Sequence, residues 1–226
     1  MSSTNKQTPP YVITISRQLG SGGAFLGRKL ATELDIAYAD REILERAAEV
    51  LEVRAEEIEQ REERVPSLME SVFQSFTFGA PEINHIPPLR VPSYEELREA
   101  ETTVITEIAS VRSAVIVGRG GFHFLKGYAR HLSVFLHADT EFRLRRVQEL
   151  YSLTAQDGLR AIHESDVARS RYLRDLTGRT WTDAAQYDIC LCTSSLGLML
   201  AERTLLELAR TRFRVGAKHE SAGKRS

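Results

Sequence analysis

Two cysteines in 226 residues are too few for a disulfide framework. Cys190 and Cys192 stand two apart in the run ICLC, on one face if that run is a strand. Successive same-face residues there lie roughly 6.6 Å apart, at the far edge of disulfide reach. Neither a second cysteine pair nor a nearby histidine completes a metal set, so these read as buried thiols. Nowhere do apolar residues run for the roughly 18 positions that a membrane span needs. Residues 1–10 are polar and contain proline, without the apolar centre of a secretory signal. The expectation is a cytoplasmic protein with no membrane partner. A surplus of charge is also missing: 30 Lys and Arg stand against 31 Asp and Glu. That balance gives no general field for nucleic acid, so any phosphate binding has to come from local clustering.

The most informative absence is local. In the stretch 11–27, YVITISRQLGSGGAFLG, an apolar run gives way to a loop holding Gly20, Gly22 and Gly23. A strand that turns through glycines into a helix aims backbone N–H groups and the positive end of the helix dipole at one point, which suits a phosphate. Gly20, Ser21, Gly22 and Gly23 are therefore the expected phosphate cradle. The full phosphate-loop pattern ends in Gly-Lys-Ser/Thr, whereas here the corresponding residues are Gly22, Gly23 and Ala24. The lysine and the magnesium-binding hydroxyl are both missing.

Length and the 42% hydrophobic content provide for one α/β domain with its own core, placed over 11–214 between disordered ends at 1–10 and 215–226. A helix is expected over 27–34 and a short strand over 36–39, a βαβ opening that puts Asp40 and Arg41 at a strand's C-terminal end. Another helix follows over 42–60. The segment 61–92 carries five of the seven prolines, with Phe73, Phe76, Phe78 and Ile83 too apolar for a plain linker. It reads as an insertion or lid that covers a site. Ser93 and Glu96 form a capping box opening a helix to about 111. Strands at 114–117, 131–137 and 189–192 alternate with helices at 140–150, at 154–176 and from 193 to 212. Five strands so arranged indicate a parallel sheet in a three-layer fold.

In such a sheet the strand C-termini share one edge, so the glycine loop, Asp40 with Arg41, and the turn Gly118-Arg119 should converge. Arg119, delivered by a glycine turn, suits a bidentate clamp on a second anion; the alternative is a structural pairing with a carboxylate. The helix ESDVARSRYLRDLTGR brings a second cluster. Its period puts Ile162, Tyr172, Leu173 and Leu176 on one side and Arg160, Arg171 and Arg174 on the other. Arg160 could pair with Glu164. Arg169 projects within the apolar stripe and needs a partner, either a structural carboxylate or a ligand phosphate. The six histidines have no ligand spacing. Trp181 and Tyr187 read as packing.

Four motifs, ITISRQLGSGG, AYADREILERAAE, VIVGRGG and ARSRYLRDLTGRTWTDAAQYDICLCTSSLG, together resemble the cytidylate kinase-like proteins over most of 11–210. The resemblance implies a P-loop nucleoside monophosphate kinase fold and transfer of the ATP γ-phosphoryl group to CMP or dCMP, with Mg2+. By position it puts ATP phosphates on Gly20, Ser21, Gly22 and Gly23, and the monophosphate beside Asp40, Arg41 and Arg119. Arg169, Arg171 and Arg174 would belong to an arginine lid over about 154–180. Arg17 replaces the first glycine of the loop, and the working hypothesis is that it supplies the missing positive charge. No metal ligand is assigned. Two other readings stand beside the kinase. One is a non-catalytic nucleotide-binding or regulatory protein with a degenerate loop. The other is a dinucleotide site, which G-x-G-x-x-G disfavours because Phe25 stands at its third glycine.

Overall fold

The computed structural model describes residues 9–51 and 93–215. The proposed insertion at 61–92 lies outside the described residues, as do nearly all of the two ends read as disordered. Five strands form one sheet in the order β2-β3-β1-β4-β5, comprising β1 (Val12–Arg17), β2 (Ala37–Ala39), β3 (Ala114–Val117), β4 (His131–His137) and β5 (Ile189–Cys192). Every described pairing is parallel. The expected parallel α/β sheet is the one observed.

The run VITIS in β1 is buried at every position because both faces of this central strand are covered. Ile13 and Ile15 face α1 (Gly23–Leu34) and the long C-terminal helix Leu198–Phe213, with Leu26, Leu30, Leu205 and Phe213 in the same core. Val12 belongs to the opposite layer, with Ile43 of α2 (Arg41–Leu51) and Val104, Ile105 and Ile108 of α3 (Tyr94–Val111). Each such aliphatic side chain, removed from water, contributes on the order of 1.5–3 kcal/mol. A third cluster joins Phe122 of the short helix α4 (Gly121–Phe124) to Phe135, Leu173, Trp181 and Tyr187. Trp181 and Tyr187 are therefore packing residues, and the Tyr187 hydroxyl donates to the Trp181 carbonyl at 2.7 Å.

The caps follow the sequence signals. Ser93 and Glu96 exchange both bonds of the capping box at the start of α3. Asp139 accepts from the Phe142 amide to open α5 (Thr140–Tyr151). Thr154 does the same for Asp157 at the start of α6 (Ala155–Thr177), which is one continuous helix through the arginine-rich segment. A short helix α7 (Thr193–Leu196) then leads into α8 (Leu198–Phe213). Several details differ from expectation. Helix α1 starts at Gly23 rather than 27, with Gly22 as its N-cap in a left-handed conformation (φ 92°) that glycine adopts without strain. Strand β2 starts one residue later, at Ala37. Arg160 pairs with Asp157 instead of Glu164. Among the described residues, no helix is long and apolar enough to cross a membrane.

Candidate active site

Because β1 lies between β3 and β4, its C-terminal end opens where the connections on either side diverge, the usual place for a ligand in an open α/β sheet. The loop that leaves this end is held from several sides. Gly20 is left-handed (φ 81°), and a Cβ there would stand 2.7 Å from the Arg143 carbonyl oxygen. Ser21 is fully buried, its hydroxyl donating to the Gln18 carbonyl at 2.8 Å. Thr193, at the start of α7, donates its hydroxyl to the Ser21 carbonyl at 2.9 Å. The Gln18 amide donates to the Leu136 carbonyl, and its side-chain carbonyl accepts from the Ala138 amide. These contacts shape the backbone and engage the Ser21 hydroxyl proton within the loop. No side chain caps α1, so the amides of its first turn have no intrahelical or capping acceptor. They are available to an anion.

Arg17 runs across this loop. Its Cγ and Cβ lie 2.6 and 2.7 Å from the point a Cβ on Gly23 would occupy. Its guanidinium rests against Gly118, and Nη2 stands 3.8 Å from Oδ1 of Asp40. Asp40 also accepts from the Tyr38 hydroxyl at 3.1 Å. Burial, reinforced by the Asp40 charge, pushes that phenol up to about 12, so it stays a donor at any ordinary pH. Arg17, Asp40 and the Gly118 turn thus converge at the mouth of the glycine loop. Helix α2 begins at Arg41, whose side chain lies outside the described residues.

Arg119 is turned the other way. Gly118, Arg119 and Gly120 all have positive φ (82°, 53° and 63°), and this tight turn aims the Arg119 guanidinium at α3. There its Nη1 stands 3.9 Å from Oε1 of Glu101, longer than a hydrogen bond. Glu101 is completely buried, and its other oxygen accepts from the Tyr172 hydroxyl at 2.9 Å. Burial pushes the Glu101 carboxyl up to about 8, against the opposing effect of the tyrosine bond. Of the arginines on α6, Arg171 and Arg174 are exposed, while Arg169 is half-buried and donates to the Ser165 hydroxyl four residues earlier.

Sequence reasoning overlooked the best-bonded arginine. Arg143 on α5 is 4% exposed, donates from Nε to the Leu19 carbonyl at 2.7 Å, and makes two parallel 2.8 Å bonds to Asp166 of α6. The signal was present, since Arg143 and Val147 are four residues apart on the buried side of α5. Glu101 was legible in the same way, spaced four from both Leu97 and Ile105. Cys190 and Cys192 are free and half-buried. The hydroxyls of Ser194 and Ser195 hold the Cys192 thiol below its usual range, while burial raises that of Cys190.

The sheet order, the glycine loop at the end of β1 and the helix it opens define an α/β protein of the P-loop kinase-like class. A family model described as "Cytidylate kinase-like family" matches residues 12–195. The chain belongs to that family. Among solved structures it is similar to an uncharacterized protein from Eubacterium ventriosum ATCC 27560, at 20% identity and TM-score 0.66, over 89% of this chain and 99% of that one. It also matches shikimate kinase from Acinetobacter baumannii in complex with shikimate, at 15% identity and TM-score 0.48, over 90% and 95%. A gluconokinase from Sinorhizobium meliloti 1021 aligns at 12% identity and TM-score 0.45, over 92% and 94%. No curated protein sequence matches the chain.

Proposed function

We propose that this protein transfers the γ-phosphoryl group of MgATP to CMP or dCMP. The observation that carries the reading is the placement of Arg17, a cation at the mouth of the glycine loop of a family member whose loop lysine is replaced by Gly23. In the proposed reaction, the backbone amides at the start of α1 receive the donor phosphates. Arg17 leaves Asp40 and places its guanidinium on phosphate oxygens, where bidentate contact suits it. The acceptor's phosphate oxygen attacks the γ-phosphorus as the bond to the β–γ bridging oxygen breaks and ADP leaves. Such a transfer depends on positioning and charge stabilisation more than on acid–base chemistry. In this reading Arg119 serves the monophosphate acceptor, and Arg169, Arg171 and Arg174 act as the arginine lid.

The described residues offer little to a magnesium ion of their own. Ala24 occupies the position of the loop hydroxyl, and the described residues contain no group of three or more His, Cys, Asp or Glu fit to hold a metal. Magnesium enters here as part of the nucleotide, held by phosphates and water as it commonly is.

Gly23 and Ala24 also favour a second reading, a protein that binds nucleotide and does not turn it over. A coupled assay of ADP release with CMP, dCMP, UMP and AMP, run beside direct nucleotide titration, separates the two. Release of ADP dependent on CMP or dCMP supports the kinase; tight nucleotide binding without release with any acceptor supports the binder.

A further inference from the structure

The glycine loop and α6 are joined through one buried side chain. Arg143 stands on α5, between them. Its Nε bonds the Leu19 carbonyl at 2.7 Å, its main-chain oxygen backs Gly20 so closely that no Cβ fits there, and both its Nη groups hold Asp166 at 2.8 Å. At 4% exposure, every donor used in this way is out of water. Two charge-assisted bonds in parallel fix the plane of the guanidinium. That plane in turn sets where the Leu19 carbonyl can lie.

The far half of α6 is tied to the second turn of the site. Tyr172 donates to Glu101, the buried carboxylate that Arg119 faces, and Leu176 packs on Gly120. Helix α6 therefore braces both turns at once, the glycine loop through Asp166 and Arg143, and the Gly118–Gly120 turn through Tyr172 and Leu176.

We propose that Arg143 is a positioning residue for the glycine loop, and that its grip on Asp166 makes the loop's geometry depend on the placement of α6. The nucleotide side of this inference rests on the kinase reading above, but the mechanical link does not. A shift of α6 when the acceptor side fills would reach the donor loop through Asp166, and the coupling must act equally in the reverse direction.

The test is hydrogen exchange on the full chain, without ligand and with MgADP, for wild type, Asp166→Asn and the milder Asp166→Glu. Asp166→Asn is expected to speed exchange at the hydrogen-bonded loop amides of Gln18 and Ser21 by about tenfold or more, the scale of one charge-assisted hydrogen bond, while amides of β1, β3 and β4 stay protected. MgADP affinity should fall by a similar factor, and in turnover the KM for ATP should rise more than that for the acceptor. Asp166→Glu should move in the same direction by less. If exchange at Gln18 and Ser21 is unchanged in both variants and rises only in α5 and α6, the pair is a brace between helices and the inference is overturned. If wild type binds no MgADP, the nucleotide reading fails by itself, and the ligand-free exchange still decides the link.

Discussion

The Arg17 side chain fills the space that any side chain on Gly23 would need, with its Cγ and Cβ 2.6 and 2.7 Å from the position of the missing Cβ. The gain of an arginine at the first position of the loop and the loss of a lysine at the seventh are therefore one structural change. Restoring Gly23→Lys alone is expected to overpack the loop and lower stability by about 1–3 kcal/mol. Arg17→Gly combined with Gly23→Lys removes the clash, and the pair should recover at least about 1 kcal/mol relative to additivity. Denaturant unfolding of the two single variants and the double variant measures it.

Glu101 gives a pH dependence of known sign. Its carboxyl is raised from 4.5 to about 8 by burial, so the folded state holds the proton through a window in which the unfolded chain has released it. Its favourable contribution is fully present below about pH 4.5 and is lost as pH rises through 8. Glu101→Gln should match wild type near pH 4.5 and exceed it at pH 8–9, by on the order of a few kcal/mol. Thermal melts across that range decide it, and equal slopes for the two proteins would remove the buried carboxyl as the cause.

His131 acts in the opposite direction. It is 7% exposed at the start of β4, with Nε2 2.7 Å from the Thr14 hydroxyl, and burial pushes it down to about 4 from 6.5. The neutral ring belongs to the fold, so this contribution is intact above pH 6.5 and is lost as pH falls through 4. The upper bound is about 3 kcal/mol. Because carboxylates titrate in the same window, the measurement is a difference: His131→Gln should have a shallower acid limb than wild type.

Much of the frame was legible because local signals agreed with tertiary ones. The strands at Ala114–Val117, His131–His137 and Ile189–Cys192 fall where expected, each a short run rich in apolar residues. Gly27 lets α1 pass close to the sheet, since a Cβ there would stand 2.8 Å from Val117 Cγ2. The start of α1 was not legible. Glycine's poor helix propensity argues against a helix at Gly23, and only the left-handed Gly22 with the crossing of Arg17 places it there.

The site was legible in outline and not in its pairings. Periodicity marks Arg169 as facing inward and marks Arg143 equally, but it does not say that Ser165 meets one and Asp166 the other. For Arg119 both an anion clamp and a carboxylate pairing were open. The turn of three positive-φ residues brings the Arg119 guanidinium toward Glu101, a direction no side-chain pattern encodes. Contacts between distant elements depend on sheet order, and sheet order becomes visible only once the strands are paired.

The decisive measurement is phosphoryl transfer from ATP to CMP and dCMP by wild type and Arg17→Ala, with MgATP titrated onto both. If Arg17 supplies the charge that Gly23 lacks, wild type turns over, while Arg17→Ala stays folded and loses about 100- to 1000-fold in kcat/KM, the scale for removing one preorganised donor from an active site. Turnover and MgATP affinity equal in the two proteins would contradict that role.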